Sequence, residues 1–421
     1  MFAEIKQYFH YLKSDSGGKK QREIVLFILL ALMILIPLNH FFLNRIVEDD
    51  LFIRFQQAKL FFQNNLSPYN EDTQSMIEYI SEQSNWNPNP RVYDIEISPI
   101  WLIFYFPFSL LKNLPIATTL FLTVVEFLMI ATIYLMFLHL HFEERGKFIL
   151  LDLVFGCTTL FFLRTFFSGN LAVFTLITLG IFIFSIHNQK FIKAGIILGL
   201  MYFEIVNIPA LVLICVFGMI KNRQFTTLVW SFISFFIFSL LLMVFDRNWP
   251  IAWLKYLFIT PQRVPFLTFP QALSMKFDFP PFQLFSIVVL GLVIWLLFET
   301  WRNPFNSIKS WFWGLGLGGI INYYLFLQMD DTAAIVLVIS LVLIVSIWRE
   351  KLTRTANMII SFLEALISII LTLIYFLFPG INKDLFFNLF VFNSSILFCL
   401  NLYWLRRWAI NIFNYEENNF L

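Results

Sequence analysis

Charge is what this sequence lacks most: Asp, Glu, Lys and Arg make up 13% of its 421 residues, against 59% hydrophobic. A soluble chain of that length needs more charge to cover its surface. The net charge is only +2, which gives nucleic-acid binding no electrostatic support. Cysteine is scarce as well. Cys157, Cys215 and Cys399 sit inside apolar runs, with neither metal-ligand nor disulfide spacing, and leave the redox compartment open. A cleavable signal peptide is also missing. The first apolar run, about Ile24 to Phe42, has spanning length and no small-residue cleavage site, so it reads as a signal anchor.

What the sequence has instead is apolar length, with a mean hydropathy of +0.75. Runs of roughly 17 or more apolar residues can cross a bilayer, and about twelve are present. They start near Ile24, Ile116, Phe148, Leu171, Ala194, Ile208, Phe225, Gln283, Trp311, Thr332, Asn357 and Leu385. The expected fold is an all-α polytopic membrane bundle of about 12 spans, one domain over residues 1–421. The runs at Ala194 and Ile208 are short and joined through Phe203–Glu204–Ile205–Val206–Asn207–Ile208–Pro209. A polar, proline-containing break at membrane depth usually lines a cavity.

Basic residues orient the bundle. With the N-terminus inside (Lys13, Lys19, Lys20, Arg22), alternate connections carry Arg145/Lys147, Lys190/Lys193, Lys221/Arg223, Arg302/Lys309 and Arg349/Lys351/Arg354. Arg406/Arg407 follow the last span, and the intervening turns hold almost no basic residues. Both termini are expected in the cytoplasm. The lack of a targeting signal points to a bacterial inner membrane.

Two outer connections are long, residues 44–114 and 246–282. Connections of that length in a compact bundle are usually functional. In the first, Leu51, Phe52, Phe55, Ala58 and Phe62 recur at helical spacing, with Arg54, Gln56, Gln57 and Lys59 between them. That pattern predicts an amphipathic helix on the membrane surface. Ser67–Pro68–Tyr69 turns the chain, and Ser98 and Pro99 are a good N-cap and first residue for a second interfacial helix, Ile100 to Phe108. Were that segment a span, every later basic pair would move outside.

Glu48–Asp49–Asp50 follows the first span directly. One reading is a solvated run in which Asp50 caps a helix N-terminus. The other is a carboxylate held at the water–lipid boundary as a general base. The stretch Asp50–Leu51–Phe52–Ile53–Arg54–Phe55–Gln56–Gln57–Ala58, followed by Phe61 to Tyr69, resembles the first-loop signature of type-C glycosyltransferases. It is most similar to glycosyltransferase family 87, the polyprenol-phosphate-mannose-dependent branch. Three further segments are similar in order: Ser98 to Pro107, Gly169–Asn170, and Lys193–Ala194–Gly195 to Gly199 with Pro209. Arg54 stands where the family motif has tyrosine, and Glu204 lies where a lysine is expected nearby.

The resemblance implies inverting transfer of a mannose-like hexose from a polyprenyl-phosphate donor to an extracytoplasmic glycan or glycolipid, without cofactor or metal. Asp50 would be the base, with Asp49 its alternate. Cations must stabilise the leaving phosphate. Arg164, near the outer end of its span, is the first candidate, with snorkelling to the interface the competing reading. Arg263, Lys255 and Lys276 in the second long connection are further candidates, or simply solvated charges. Asn170, Glu204 and Tyr69 are expected to line the cavity. Glu126, Asp152, Glu299 and Glu364 also touch apolar runs; Asp152 and Glu299 fit the inner interface. Trp86–Asn87–Pro88–Asn89–Pro90 is either a loop over the acceptor or a passive one. A lipid-linked glycan polymerase or ligase, and a non-catalytic transporter or flippase, are the alternatives. The first usually needs a large late outer loop, and the second predicts inverted repeats.

Overall fold

A computed structural model describes residues 33–37, 39–41, 50–83, 98–111, 113–140, 156, 159–168, 172–205, 208–259, 281–325, 331–378 and 383–410. Among the described residues the regular structure is all helical, without strands. The first connection holds α1 (Asp50–Asn64), α2 (Glu71–Gln83) and α3 (Pro99–Ser109). Then come α4 (Leu114–Leu140), α5 (Leu160–Ser168), α6 (Ala172–His187) and α7 (Phe191–Met201), which runs into a 3-10 turn, Tyr202–Glu204. After the break follow α8 (Pro209–Lys221), α9 (Phe225–Leu242), α10 (Trp249–Ile259), α11 (Pro281–Arg302) and α12 (Ile308–Leu325). A second 3-10 segment (Asp331–Leu337), α13 (Val338–Lys351), α14 (Arg354–Leu377) and α15 (Lys383–Ile410) complete the order. Two of these, α4 and α9, are long and apolar enough to cross a membrane by length and composition.

Local chemistry explains many boundaries. Pro99 and Pro209 open α3 and α8 at the first helical position, where a missing N–H leaves no bond unmade. Gln189 and Arg223, at φ 56° and 55°, reverse the chain after α6 and α8. The Lys190 N–H then donates to the Ser185 carbonyl at 2.8 Å and the Gln224 N–H to that of Met219 at 2.9 Å, satisfying carbonyls the helices leave over. Ser98 sits at the α3 N-cap, but its hydroxyl makes no capping bond, because the Trp101 N–H is taken by the Ser98 carbonyl at 3.1 Å.

Side-chain contacts fix how the helices run. Gly180 of α6 faces Thr132 and Met136 of α4, and the His139 and His187 rings lie 5.9 Å apart, so α4 and α6 are parallel. Likewise α7 and α9 are parallel, with Gly195 on Thr227 and Trp230, Gly199 on Ser231 and Ser234, and Phe203 on Phe235. Helix α12 is central: residues 311–320 are all buried. Its glycines admit close neighbours, Gly318 meeting Leu211 and Ile214 of α8 and Gly316 meeting Ser340 of α13. The Trp313 indole N–H donates to the Leu402 carbonyl at 2.9 Å, and Tyr324 pairs with Ser395, so α15 runs antiparallel to α12.

One end of the bundle gathers basic residues. Lys221 Nζ donates to the Trp301 and Asn303 carbonyls at 2.8 and 2.7 Å. Lys309 pairs with Glu350 at 2.7 Å, and Glu299, 5% exposed, meets Arg406 at 3.1 Å and Arg302 at 3.8 Å. Sequence alone assigned Glu299 to an interface; the structure gives it two guanidinium partners. Arg406→Ala strands a buried carboxylate with only Arg302 nearby. It should lower unfolding free energy by about 2 kcal/mol, less than for a fully buried pair because Arg406 keeps some solvent. Adding Glu299→Gln should restore most of that. Equal melting of Arg406→Ala and wild type would refute it.

The first connection departs from expectation. Helix α1 has the expected place, but its buried face is wider than expected. Leu51, Phe52, Ile53, Arg54, Phe55, Gln57, Ala58, Leu60 and Phe61 are all buried, and of the expected polar face only Gln56 and Lys59 stay outward. It is wedged between neighbours, with Phe55 5.7 Å from Phe121 of α4 and Phe62 4.9 Å from Phe106 of α3. On its other side Phe52, Ile53 and Leu60 cluster with Ile77 of α2. Helix α3 is 11 residues long, about 16 Å at 1.5 Å per residue, too short to span. Helices α2 and α10 occupy stretches that read as loop.

Candidate functional site

The end opposite the basic cluster is built from α1, α3, the start of α4 and α6, and the α7–α8 break with α10. Tyr105 of α3 stacks on Phe121 at 4.8 Å and Phe104 on Phe174 of α6 at 4.6 Å. Phe61 and Phe62 of α1 reach Phe245, just past α9, at 5.8 and 4.9 Å.

Asp50 is the first residue of α1. Its side chain lies outside the described residues, as do Asp49, Asn170, Arg263 and Lys276 entirely. Positions 50, 54 and 57 share one face of the helix by its 3.6-residue period. On that face Arg54 is buried, and its Nη1 donates to Gln57 Oε1 at 3.0 Å. A buried guanidinium one turn beyond Asp50 was missed in the sequence, where Arg54 counted as part of a polar face. Its signal was there: apolar residues lie on both sides of it at positions 51–53, 55 and 58.

The Ser67–Pro68–Tyr69 turn forms as expected. Asn70 N–H donates to the Ser67 carbonyl at 3.1 Å, and the Thr73 hydroxyl donates to the same oxygen at 2.7 Å, tying the turn to α2. Pro68 supplies the fixed φ of the second turn position. Tyr69 packs, partly buried, against the core.

Glu204 closes the 3-10 turn and is 3% exposed. Its carbonyl accepts from the Ile208 N–H at 2.9 Å, bridging the break. Beside it Phe203 packs on Trp249 and Trp253 of α10 at 5.9 and 6.5 Å, and the Trp249 indole N–H donates to the Ser239 carbonyl at 3.2 Å. The second long connection therefore returns to the break. Lys255, on the same α10, is exposed.

Arg164 does not extend to solvent. It is 9% exposed, with its guanidinium carbon 4.2 Å over the Phe387 ring at the start of α15 and 5.9 Å from Tyr375 near the end of α14. Snorkelling is thereby corrected: two aromatic faces hold the cation inside the bundle.

A polar contact not foreseen lies beside the α1–α4 packing. Asn39 Nδ2 donates to Glu126 Oε2 at 2.9 Å and to Thr123 Oγ1 at 3.1 Å, and His40 Nδ1 lies 3.2 Å from Thr119 Oγ1. The acid of α4 is thus oriented by an amide from the preceding helical segment. Among the described residues, no group of three or more His, Cys, Asp or Glu is placed to hold a metal. In comparisons with family models, curated proteins and solved structures, nothing matches this chain.

Proposed function

We propose that the chain is a polytopic membrane protein of about twelve spans that transfers a mannose-like hexose from a polyprenyl-phosphate donor. The acceptor would be a glycan or glycolipid at the extracytoplasmic face. Membrane residence is supported by apolar faces open to the surroundings. On α9, Phe225, Val229, Phe232, Phe236 and Leu240 are exposed along one stripe, and α14 presents Ile359, Phe362 and Ile370 in the same way. Exposed apolar area of that extent calls for a lipid partner.

The observation that carries the enzymatic reading is the asymmetry of the bundle. Short basic turns gather at one end. At the other, the two long connections fold into α1, α2, α3 and α10; α10 packs onto the α7–α8 break, and α1 reaches Phe245 just past α9, with Asp50 opening α1. In the reaction, the Asp50 carboxylate takes the proton of the acceptor hydroxyl as its oxygen attacks the anomeric carbon. The carbon–oxygen bond to the lipid phosphate breaks with inversion, and that phosphate leaves with the electron pair. It needs no proton, only positive charge nearby. Among the described residues, Arg54 and Arg164 are the buried cations at this end, and Arg can take a phosphate with two parallel bonds.

The broken α7–α8 element with buried Glu204 favours the second reading, a lipid-linked glycan transporter, since such breaks line substrate paths. A polymerase or ligase remains the third. Deleting the gene and identifying the lipid-linked sugar that accumulates separates them. The transferase reading expects a polyprenyl-phosphate monosaccharide to build up and purified chain in vesicles to consume it. Accumulation of a completed lipid-linked glycan, with no transfer by the chain, would overturn it.

A further inference from the structure

Three helices end together at the basic end, in register. Helix α15 stands between α11 and α13. Tyr403 lies 5.3 Å from Trp295 and Arg406 3.1 Å from Glu299; on the other flank Trp404 lies 6.1 Å from Trp348, and Lys351 sits 5.8 Å over the Trp408 ring. Position numbers rise together on all three, so they are parallel. Their surface has two levels. Tyr403 and Trp404 are 55% and 62% exposed, beside an exposed Phe298. One turn further along come the cations Arg407, Lys351 and Arg302, all exposed, the last with its guanidinium 4.4 Å over Phe298.

Charge at helix C-termini explains part of this, because each end carries about half a negative charge. It does not explain the ring level beneath. The buried carboxylate here, Glu299, is already met by Arg406 and Arg302. Among the described residues, neither Arg407 nor Lys351 forms an ion pair.

We infer that this face binds the headgroup of an anionic glycerophospholipid, its phosphate held by Arg407 and Lys351 and its glycerol and upper acyl chains laid on Tyr403 and Trp404. The inference rests on the membrane reading above, not on the transferase reading. A lipid matches both levels at once, since one helical turn of about 5.4 Å separates rings from cations and a lipid passes from charge to hydrocarbon over a similar distance. A second copy of the chain would bring cations against cations. A soluble polyanion would leave the rings without apolar contact.

The test is native mass spectrometry of the detergent-purified full chain offered equal phosphatidylglycerol and phosphatidylcholine. Wild type should retain phosphatidylglycerol in preference. A cation at an anionic leaflet is worth about fivefold in binding, so Arg407→Ala with Lys351→Ala should cut that preference about 25-fold. Arg247→Ala, an exposed cation at the other end, should leave it unchanged. Equal retention of the two lipids by wild type, or undiminished preference in the double variant, would overturn the inference. So would a wild-type dimer that the double variant loses. Alkaline carbonate extraction separates the two readings: a chain washed off membranes sinks the membrane reading, whereas a chain that stays but shows no lipid preference sinks this one alone.

Discussion

Asp50→Asn should abolish hexose transfer from polyprenyl-phosphate donors, by about 10³-fold, while the chain accumulates in membranes at the wild-type level. Asparagine keeps the size of the side chain and its capacity to accept a bond at a helix start, but it cannot take a proton at neutral pH. The substitution therefore divides the two readings of this residue. If Asp50 only caps α1, asparagine is as good a cap as aspartate, and both activity and stability should persist. If it is the base, activity falls with stability intact. Asp50→Ala should be equally inactive and slightly less stable through loss of the cap. Undiminished transfer by both variants, with Asp49 present, would remove Asp50 from the reaction.

The same assay assigns the buried cations. Phe387 and Tyr375 hold Arg164 within the bundle, and Arg54 shares a helix face with position 50. A cation that stabilises the departing phosphate acts mainly in the transition state, so losing it lowers the turnover rate more than it weakens donor binding. A cation that merely fills its aromatic cage would instead lower melting temperature and leave the rate per folded molecule alone.

Much of the fold was legible because the cues are local. Pro99, Pro209 and the basic turns mark helix ends wherever they stand, and the positions of α4, α6, α8 and α9 follow from them. The break between α7 and α8 was visible in Glu204 and Pro209. Arg54 was misread because spacing within a helix tells which residues share a face but not how many faces are covered. Helix α1 is covered on nearly all sides by α2, α3 and α4, which only tertiary packing reveals. Helix α2 reads as loop for a related reason: its buried stripe is short, Thr73 and Ile77 one turn apart, with Thr73 polar and bonded to the Ser67 carbonyl in an otherwise polar stretch. Trp249 and Trp253 are also one turn apart, and their role depends on Phe203, far away in the chain. The partners of Glu299 include Arg406, which no local pattern connects to it.

The Lys193-to-Gly199 segment shows how packing can account for a motif that looks functional. Gly195 and Gly199 lie one turn apart on the face of α7 that meets α9. A Cβ at Gly199 would run into the Ser234 hydroxyl and come within 2.6 Å of the Ser231 carbonyl oxygen and 3.0 Å of the Phe235 nitrogen. The hydroxyl can turn away; the two backbone atoms cannot without moving α9. Gly199→Ala should therefore destabilise the chain by about 2–3 kcal/mol, the upper part of the range for overpacking, although alanine favours helix over glycine. Adding Ser234→Ala should recover little, because the backbone contacts remain. Gly291→Ala in α11 is the matched control: nothing lies within 4 Å of its Cβ position, so it should be neutral or stabilise by up to about 1 kcal/mol. Thermal melts in detergent decide the matter, and equal melting of the two variants would refute close α7–α9 packing. Phe203 and Glu204 stand one turn past Gly199, so prying α7 from α9 also moves the break. A Gly199→Ala chain that still folds at low temperature should lose transfer there as well, linking the packing of these two helices to the end of the bundle where the chemistry is proposed.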